Sequence, residues 1–274
     1  MNIVEPAVAD LERRFGALRR LYGDRGYALV RAARVAVVGL GGVGSWACEA
    51  LARSGVAELT LIDLDHVAES NINRQVQALG ATLGQAKAVA MQQRIADIHP
   101  GCEVLCIEEF VDEANWPGLI QQPVDVLIDA CDQVRAKLAL AAWALQTQTP
   151  LVVVGAAGGK RRPQDVQVND LALVTHDPLL AALRQRLRKQ SGATRERAMG
   201  VRCVYSCEQV APPPNAAPAD GGLNCHGYGS SVAVTATFGM VAAGEMLSQL
   251  AAPAGAFTRA SRPPLRGQAP NFEC

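Results

Sequence analysis

The sequence has no net charge, only 4% aromatic residues and no hydrophobic run long enough to cross a membrane. Its 26 basic residues are balanced by 26 acidic ones, which argues against polyanion binding through overall charge but leaves a local basic patch open. The longest apolar run near the C-terminus covers residues 232–244 and ends at Glu245. Because a membrane-spanning helix needs about 20 apolar residues, this shorter run predicts a core helix.

The sequence also lacks a recognisable signal peptide, although it contains eight cysteines. Cysteines in such a chain are expected to be reduced thiols of the cytosol rather than a disulfide framework. We therefore expect a cytoplasmic protein, and the pattern leaves a peripheral or C-terminal membrane contact of the helix at 232–250 open. A length of 274 residues, of which 49% are hydrophobic, is enough to bury a large core in one or two domains.

Apolar, β-branched segments alternate with helical patterns through the first 160 residues. Continuous apolar strands between helices are typical of a parallel sheet that is covered on both faces. The predicted fold class is α/β, with a doubly wound, mainly parallel, Rossmann-like sheet whose ligands lie at the carboxyl ends of the strands. Strands are predicted near 34–39, 58–63, 103–108, 124–129 and 150–154, and helices near 43–54, 84–98, 112–121 and 133–147.

The composition changes after residue 159. Residues 158–202 contain ten basic and four acidic residues, so this segment carries a net charge of +6 and the remainder carries −6. We expect a single domain over 10–251, with a nucleotide-binding part at about 30–160 and a substrate-facing α/β extension at about 160–251. The aperiodic segment 209–222 predicts a mobile loop, and 252–274 predicts a disordered tail.

A glycine turn joins the first predicted strand to the helix that follows it. Gly39, Gly41 and Gly44 have the G-x-G-x-x-G spacing, with Gly42 between them. Such a turn lets backbone N–H groups approach a phosphate at a helix N-terminus. Asp63 follows at the end of the second strand, at a spacing typical of an acid that binds a ribose hydroxyl. These features suit NAD and ATP equally.

Three further motifs favour ATP. Arg74 ends N71-I-N-R74 and Lys87 ends G84-Q-A-K87, so that two cations are available to neutralise a triphosphate. The motif D129-A-C-D132 ends the fourth strand and offers a carboxylate for Mg²⁺, with Asp132 preferred because Asp129 is explained as the end of the strand. Hydride transfer needs none of these groups.

The ordered motifs G-x-G-G-x-G, D-x-D, N-x-N-R, G-x-x-K and D-x-x-D resemble the ThiF/MoeB superfamily of enzymes that adenylate a carboxylate. The resemblance covers roughly residues 10–250. It implies that Asp63 holds the ribose, with Asp65 as a further residue of the nucleotide site. It also implies that Asn73, Arg74 and Lys87 hold the phosphates and that Asp132 binds magnesium.

The resemblance also implies a homodimer in which an N-terminal arginine reaches the ATP of the partner subunit. The candidates lie in E12-R-R-F-G-A-L-R-R-L-Y-G23, with Arg14 preferred and Arg20 second. Arg14, Arg74, Lys87 and Asp132 are thus the predicted catalytic residues. Arg14 remains open to a simpler explanation, since charged residues of an amphipathic segment usually form a solvated face.

Within the superfamily, four segments are similar to the tRNA threonylcarbamoyladenosine dehydratase branch: 14–23, 129–137, 155–159 and 166–171 with 176–187. The segment 224–239, rich in small residues, also fits this branch. The resemblance implies ATP-dependent cyclisation of threonylcarbamoyladenosine beside the anticodon, by adenylation of its carboxylate and intramolecular ring closure. It also implies tRNA as substrate. The sequence leaves open whether sulfur-transfer proteins of the cysteine-desulfurase type are partners and whether a monovalent cation occupies the glycine-rich C-terminal region. A tRNA surface is predicted on the basic segment, at Arg184, Arg186, Arg188 and Lys189.

Three alternatives stay open. An adenylating enzyme for a ubiquitin-like sulfur carrier would carry two C-x-x-C pairs for zinc, whereas C203-V-Y-S-C207 and Cys225 have the wrong spacing, so no zinc is expected. The second alternative is a noncatalytic nucleotide-responsive scaffold, and the least favoured one is an NAD oxidoreductase. Cys225 beside His226 could form an activated thiolate, although such a pair is more often simply packed.

Overall fold

A seven-stranded sheet forms the centre of the computed structural model, which describes residues 9–191, 197–210 and 228–252. The strand order is β3-β2-β1-β4-β5-β7-β6; all neighbours are parallel except β6 and β7. The predicted doubly wound, mainly parallel α/β fold is confirmed. The strands are β1 (Arg34–Val38), β2 (Glu58–Ile62), β3 (Glu103–Ile107), β4 (Val126–Asp129), β5 (Leu151–Val154), β6 (Val166–Asp170) and β7 (Arg202–Ser206).

Helices cover both faces of the sheet. Successive side chains of a strand point to opposite faces, and in β1 Val35 and Val37 join one buried cluster while Ala36 and Val38 join the other. The first cluster is covered by α3, α4 and α7 and the second by α5 and α6. The helices are α1 (Leu11–Phe15), α2 (Ala17–Arg31), α3 (Gly44–Arg53), α4 (Lys87–Ile98), α5 (Val134–Thr147), α6 (Pro178–Ser191) and α7 (Val232–Ala251).

Helix α7 contains the apolar run at 232–244 and packs in the core, as predicted. Val234, Phe238 and Met246 are buried in the first cluster. Gly239 allows a close approach to α3, because a Cβ there would lie 2.5 Å from the carbonyl oxygen of Val43. In the part of the chain that the structure describes, no helix is both long and apolar enough to span a bilayer.

The predicted helix near 112–121 is wrong, because this segment forms a series of turns. Asp112 Oδ1 accepts hydrogen bonds from the backbone N–H groups of Ala114 and Asn115, and Asn115 Oδ1 accepts one from the Asp112 N–H. These side-chain bonds compete with helical ones, and Pro117 has no N–H to donate. The apolar pattern of the segment reflects packing of Trp116 on Trp143.

The cysteines differ in part from the expectation of reduced thiols. Cys207 is disulfide-bonded, whereas Cys48, Cys102, Cys106, Cys131 and Cys203 are free. Burial raises the pKa of Cys102 to about 12, so its thiol stays protonated. Residues 211–222 of the predicted loop, residues 253–274 of the predicted tail, Cys225 and His226 lie outside the described residues.

Candidate functional site

A cavity of about 250 Å³ opens at the carboxyl edge of the sheet. It lies at the ends of β1 and β4, which are neighbours in the sheet. Strands β2 and β3 lie on one side of β1, and the four later strands lie on the other side. This reversal of strand order is the place where doubly wound sheets bind ligands. The segments that follow β1, β2, β4 and β5 all contribute to its walls, as does the segment after β3.

The glycine turn forms the floor of the cavity. Gly39 has φ +86° and lies against Ala130, so a Cβ there would come within 2.9 Å of the Ala130 backbone. A Cβ on Gly44, where α3 begins, would overlap the carbonyl oxygen of Gly39. Gly41 differs from both, because a Cβ there would have no atom within 4 Å. Gly39 and Gly44 therefore permit the fold of the turn, and Gly41 leaves space open for a ligand.

Three charged side chains form a connected group beside the turn. Asp63 is buried, and its oxygens accept backbone hydrogen bonds from Leu40 (2.6 Å) and Asp65 (2.9 Å). Burial raises the pKa of Asp63, while Lys87 and these N–H groups act in the opposite direction. Lys87 is the first residue of α4, and its Nζ donates to Asp65 Oδ2 at 2.7 Å. The Lys87 ammonium is therefore held at the cavity wall by a half-exposed carboxylate that a phosphate could replace.

Arg74 lines the cavity and Asn73 supports it from outside. Arg74 Nη1 donates to the Ser70 carbonyl (2.6 Å) and to Asn73 Oδ1 (3.0 Å), and Asn73 Nδ2 donates to the Ser230 carbonyl (3.2 Å). Trp46 also contributes, since its indole N–H donates to the Arg74 carbonyl at 2.9 Å. The local sequence gives no signal for this contact, because residues 46 and 74 meet only in the folded chain.

The two acids after β4 have different environments. Asp129 is fully buried and accepts a hydrogen bond from Lys137 Nζ at 3.1 Å. Asp132 is exposed and lines the cavity. This placement agrees with the preference for Asp132 as the acid available to a ligand.

The cavity therefore combines two cations, a glycine turn at a helix N-terminus and the exposed carboxylates of Asp65, Glu109 and Asp132. Such a set is suited to a polyphosphate with an accompanying divalent cation, because Mg²⁺ is commonly bound by one or two carboxylates together with phosphate oxygens. Within residues 9–191, 197–210 and 228–252, no cluster of three or more His, Cys, Asp or Glu is placed to hold a metal.

The family model described as "ThiF family" matches residues 14–267. The chain belongs to the ThiF family. It is 42% identical to tRNA threonylcarbamoyladenosine dehydratase of Escherichia coli strain K12 over 254 residues, which cover 88% of this chain and 95% of that protein. A solved structure of E. coli tRNA N6-threonylcarbamoyladenosine dehydratase in complex with ATP has a TM-score of 0.80 and 41% identity, with 89% of this chain and 97% of that chain covered. Similarity to E. coli molybdopterin-synthase adenylyltransferase is 35% identity over 46% of this chain.

In this ThiF-family chain, Arg14 does not lie at the cavity. Its Nη1 donates to the carbonyls of Asp97 (3.0 Å) and Ile98 (2.7 Å), where α4 ends. Helix α4 begins at the cavity with Lys87, so at 1.5 Å per residue the two ends are about 17 Å apart. Arg20 is exposed on α2.

The four residues predicted for tRNA binding divide into two pairs on α6. Arg186 and Lys189 are exposed. Arg184 Nη1 instead donates to the carbonyls of Leu171 (3.2 Å) and Val174 (2.6 Å), and Arg188 is half-buried. The exposed pair is therefore better placed to meet a polyanion.

Several cavity residues were not predicted. Phe110 is 53% exposed and follows β3, so the rule of inspecting the carboxyl end of each strand would have found it. Ser230 and Thr235, at the start of α7, also line the cavity. No local pattern indicates them, because only the tertiary fold brings this segment to the glycine turn.

Proposed function

We propose that this chain catalyses the ATP-dependent dehydration of N6-threonylcarbamoyladenosine next to the anticodon of tRNA. The observation that carries the proposal is 42% identity to the E. coli tRNA threonylcarbamoyladenosine dehydratase over 95% of that protein's length. The cavity supplies the groups that such a reaction needs. The sulfur-carrier alternative has weaker support, because the similarity to molybdopterin-synthase adenylyltransferase covers less than half of the chain.

ATP fits the cavity by the chemistry of its lining. The open space over Gly41 accommodates phosphate oxygens against the backbone, and the N-terminus of α3 adds positive potential. Arg74 and Lys87 neutralise phosphate charge, and Asp63 accepts hydrogen bonds from ribose hydroxyls. Asp63 can do so while keeping its backbone bonds, since a carboxylate has about four acceptor sites.

Mg²⁺ fits at Asp132, whose exposed carboxylate provides one hard oxygen ligand at the cavity wall. When bound, the ion would neutralise charge that develops on the phosphates during adenylation. The role of Asp132 is to fix the position of that charge relative to the glycine turn.

The reaction has two steps. A carboxylate oxygen of the threonyl group first attacks the α-phosphorus of ATP, a P–O bond forms and pyrophosphate leaves. The carbamoyl group of the same side chain then attacks the activated carboxyl carbon and loses a proton, and AMP leaves with the carboxylate oxygen. The nucleoside loses one water in total. Because the nucleophile is tethered to the electrophile, proximity replaces a second substrate and no nucleophilic cysteine is needed.

The tRNA lies along the basic surface of α6 in this proposal. Arg186 and Lys189 are three residues apart on a helix, so they present their charges on one face. Arg184 and Arg188 contribute mainly by packing the helix and keeping its charge positive.

A homodimer would bring Arg14 to an ATP. Arg14 lies at the end of α4 remote from its own cavity, so any ATP that it contacts belongs to a partner subunit. An Arg14→Ala variant is expected to bind ATP and tRNA but to turn over slowly. Mixing it with Lys87→Ala should restore part of the activity, because one of the two sites in a mixed dimer then has both residues; no recovery would contradict the shared site.

A tRNA substrate and ATP consumption are consistent with a cytoplasmic protein. The sulfur-transfer partner and the monovalent cation stay candidates that the sequence leaves open.

The decisive experiment is mass spectrometry of nucleosides from tRNA incubated with the protein, ATP and Mg²⁺. The expected result is loss of one water from threonylcarbamoyladenosine, with formation of AMP and pyrophosphate. Omission of ATP and the Lys87→Ala variant are the controls. An unchanged nucleoside, together with pyrophosphate exchange that depends on a small carrier protein, would refute the proposal in favour of the sulfur-carrier reaction.

A further inference from the structure

A fully buried lysine lies directly beneath the cavity. Lys137, on the first turn of α5, has no exposed side-chain surface. Its Nζ donates to Asp129 Oδ1 at 3.1 Å and to the carbonyl oxygen of Val154 at 2.8 Å. Asp129 is the last residue of β4 and Val154 is the last residue of β5. One ammonium group therefore joins the carboxyl ends of two central strands.

Both strand ends continue into walls of the cavity. Residues 130–133 follow Asp129 and residues 155–158 follow Val154, and all eight line the cavity. Asp129 also fixes the first wall from within, because its Oδ1 accepts a hydrogen bond from the Cys131 N–H at 3.2 Å. Asp132 is the next residue along this wall.

The second wall has one further anchor. Asp177 Oδ2 accepts a hydrogen bond from the Ala156 N–H at 2.8 Å, and its Oδ1 accepts one from the Leu180 N–H in α6. A Cβ on Gly155 would overlap Asp177 Oδ2, so this contact leaves no room for a side chain there. Lys137 and Asp177 thus hold this wall at two neighbouring peptide groups.

Lys137 and Asp129 form a buried ion pair in which one oxygen of Asp129 is poorly satisfied. Burial lowers the pKa of Lys137, but Asp129 and other nearby acids outweigh it, so that the pKa lies above its ordinary value. Asp129 Oδ2 is buried without a hydrogen-bond partner in the part of the chain that the structure describes. Apolar side chains at these two positions would stabilise the fold equally well, since a buried ion pair rarely contributes more to the free energy of unfolding than apolar side chains of similar volume.

We propose that Lys137 is a positioning residue for adenylation: through Asp129 and the Val154 carbonyl it sets the distance between the wall that carries Asp132 and the wall at 155–158. The inference rests on the proposed function, because it assumes that a nucleotide reacts between these walls. A displacement near 1 Å of groups around a reacting centre can reduce a rate about 100-fold. Lys137 touches no reactant in this role.

The test uses the double variant Asp129→Asn/Lys137→Met. A single Lys137→Met variant would leave a buried unpaired carboxylate and could fail to fold, whereas the double variant is neutral and keeps an oxygen for the Cys131 N–H. The matched control is Arg34→Met/Asp125→Asn, which removes an ion pair (2.8 Å) between β1 and the residue before β4 at the opposite edge of the sheet.

The double variant is expected to lose about 10- to 100-fold in kcat for tRNA dehydration, with the Kd for ATP measured without Mg²⁺ changed less than about threefold. The strengthening of ATP binding by Mg²⁺ should diminish, and amide hydrogen exchange of 130–133 and 155–158 should become faster. The control should show none of these changes.

A double variant with wild-type kcat and unchanged exchange in both walls would overturn the positioning role. If that variant does not fold, Asp177→Asn provides the second test, since it weakens one anchor of the same wall and should lower kcat in the same way. If wild-type protein itself leaves modified tRNA unchanged, the proposed function fails; the hydrogen-exchange result then still decides whether Lys137 holds the walls.

Discussion

Two glycines of the same turn should respond in opposite ways to the same added methyl group. Gly41 has room for a Cβ and lies outside the left-handed backbone region, so Gly41→Ala should fold normally. Because the methyl group would occupy the space that phosphate oxygens approach, ATP binding should weaken. A Cβ on Gly44 would instead overlap the Gly39 carbonyl oxygen, so Gly44→Ala should destabilise the fold itself.

The magnitudes separate the two variants clearly. Alanine at a compatible glycine position stabilises a protein by about 0.4–1 kcal/mol through the unfolded state. Loss of close phosphate contact at Gly41 should raise the Kd for ATP about 10- to 100-fold, or about 1.4–2.7 kcal/mol. Overpacking at Gly44 should cost about 2–3 kcal/mol, which lowers Tm by about 4–12 °C for a protein of this size.

Thermal unfolding without ligand and calorimetric titration with ATP measure the two effects independently. Gly41→Ala should show an unchanged or slightly raised Tm with weak ATP binding. Gly44→Ala should show a lowered Tm, with binding reduced only as far as the turn is distorted. The reasoning would be refuted if Gly41→Ala bound ATP like the wild type, because the floor of the cavity would then not meet the nucleotide.

Three further predictions concern charged residues. Lys87→Ala should lower kcat for tRNA dehydration by at least about 100-fold. Asp65→Asn removes the carboxylate partner of Lys87 (2.7 Å) and should lower kcat less. Equal losses of kcat in steady-state kinetics would contradict a direct role of Lys87. Reversing the charges of Arg186 and Lys189 should weaken tRNA binding without changing ATP affinity. The slope of log K for tRNA against log salt concentration should become less steep by about two, and an unchanged slope would show that α6 is not part of the tRNA surface. Burial and the nearby Arg31 lower the pKa of His99; its stabilising contribution is therefore present above pH 6.5 and is lost as pH falls through the lowered pKa. Urea unfolding should show a steeper loss of stability below pH 6.5 in the wild type than in His99→Gln, by at most about 1.4 kcal/mol per pH unit, and parallel curves would exclude this group.

Strand ends were the part of the site that sequence reasoning could place. Gly39, Asp63 and Asp132 follow strands whose apolar runs are visible in the sequence, and parallel strands bring their carboxyl ends to one edge. Contacts between distant segments were not accessible in this way. The hydrogen bond from Asn73 to Ser230 joins residues 157 positions apart, and its formation depends on how α7 packs across the sheet.

The prediction of a helix at 112–121 was wrong for a different reason. The apolar residues of this segment have a spacing compatible with a helix, but Asp112, Asn115 and Pro117 favour turns through local bonds and a missing donor. Turn chemistry of the backbone therefore outweighed apolar periodicity, which here reflects packing of Trp116, Leu119 and Ile120 against the second buried cluster.

The sequence around Lys137 contains a signal for its burial. Helix α5 is apolar on nearly every side, and Lys137 is flanked by Ala136 and Leu138 rather than lying on a polar face. A helix that is apolar all round is expected to be buried, and a lysine within it needs an acid close by. Asp129 precedes it by eight residues at the end of a buried strand, so the pair could have been predicted jointly. Lys189 on α6 lies in a run of polar residues and is exposed, which shows that the neighbours of a charge, rather than the charge itself, indicate whether it acts inside the fold or on its surface.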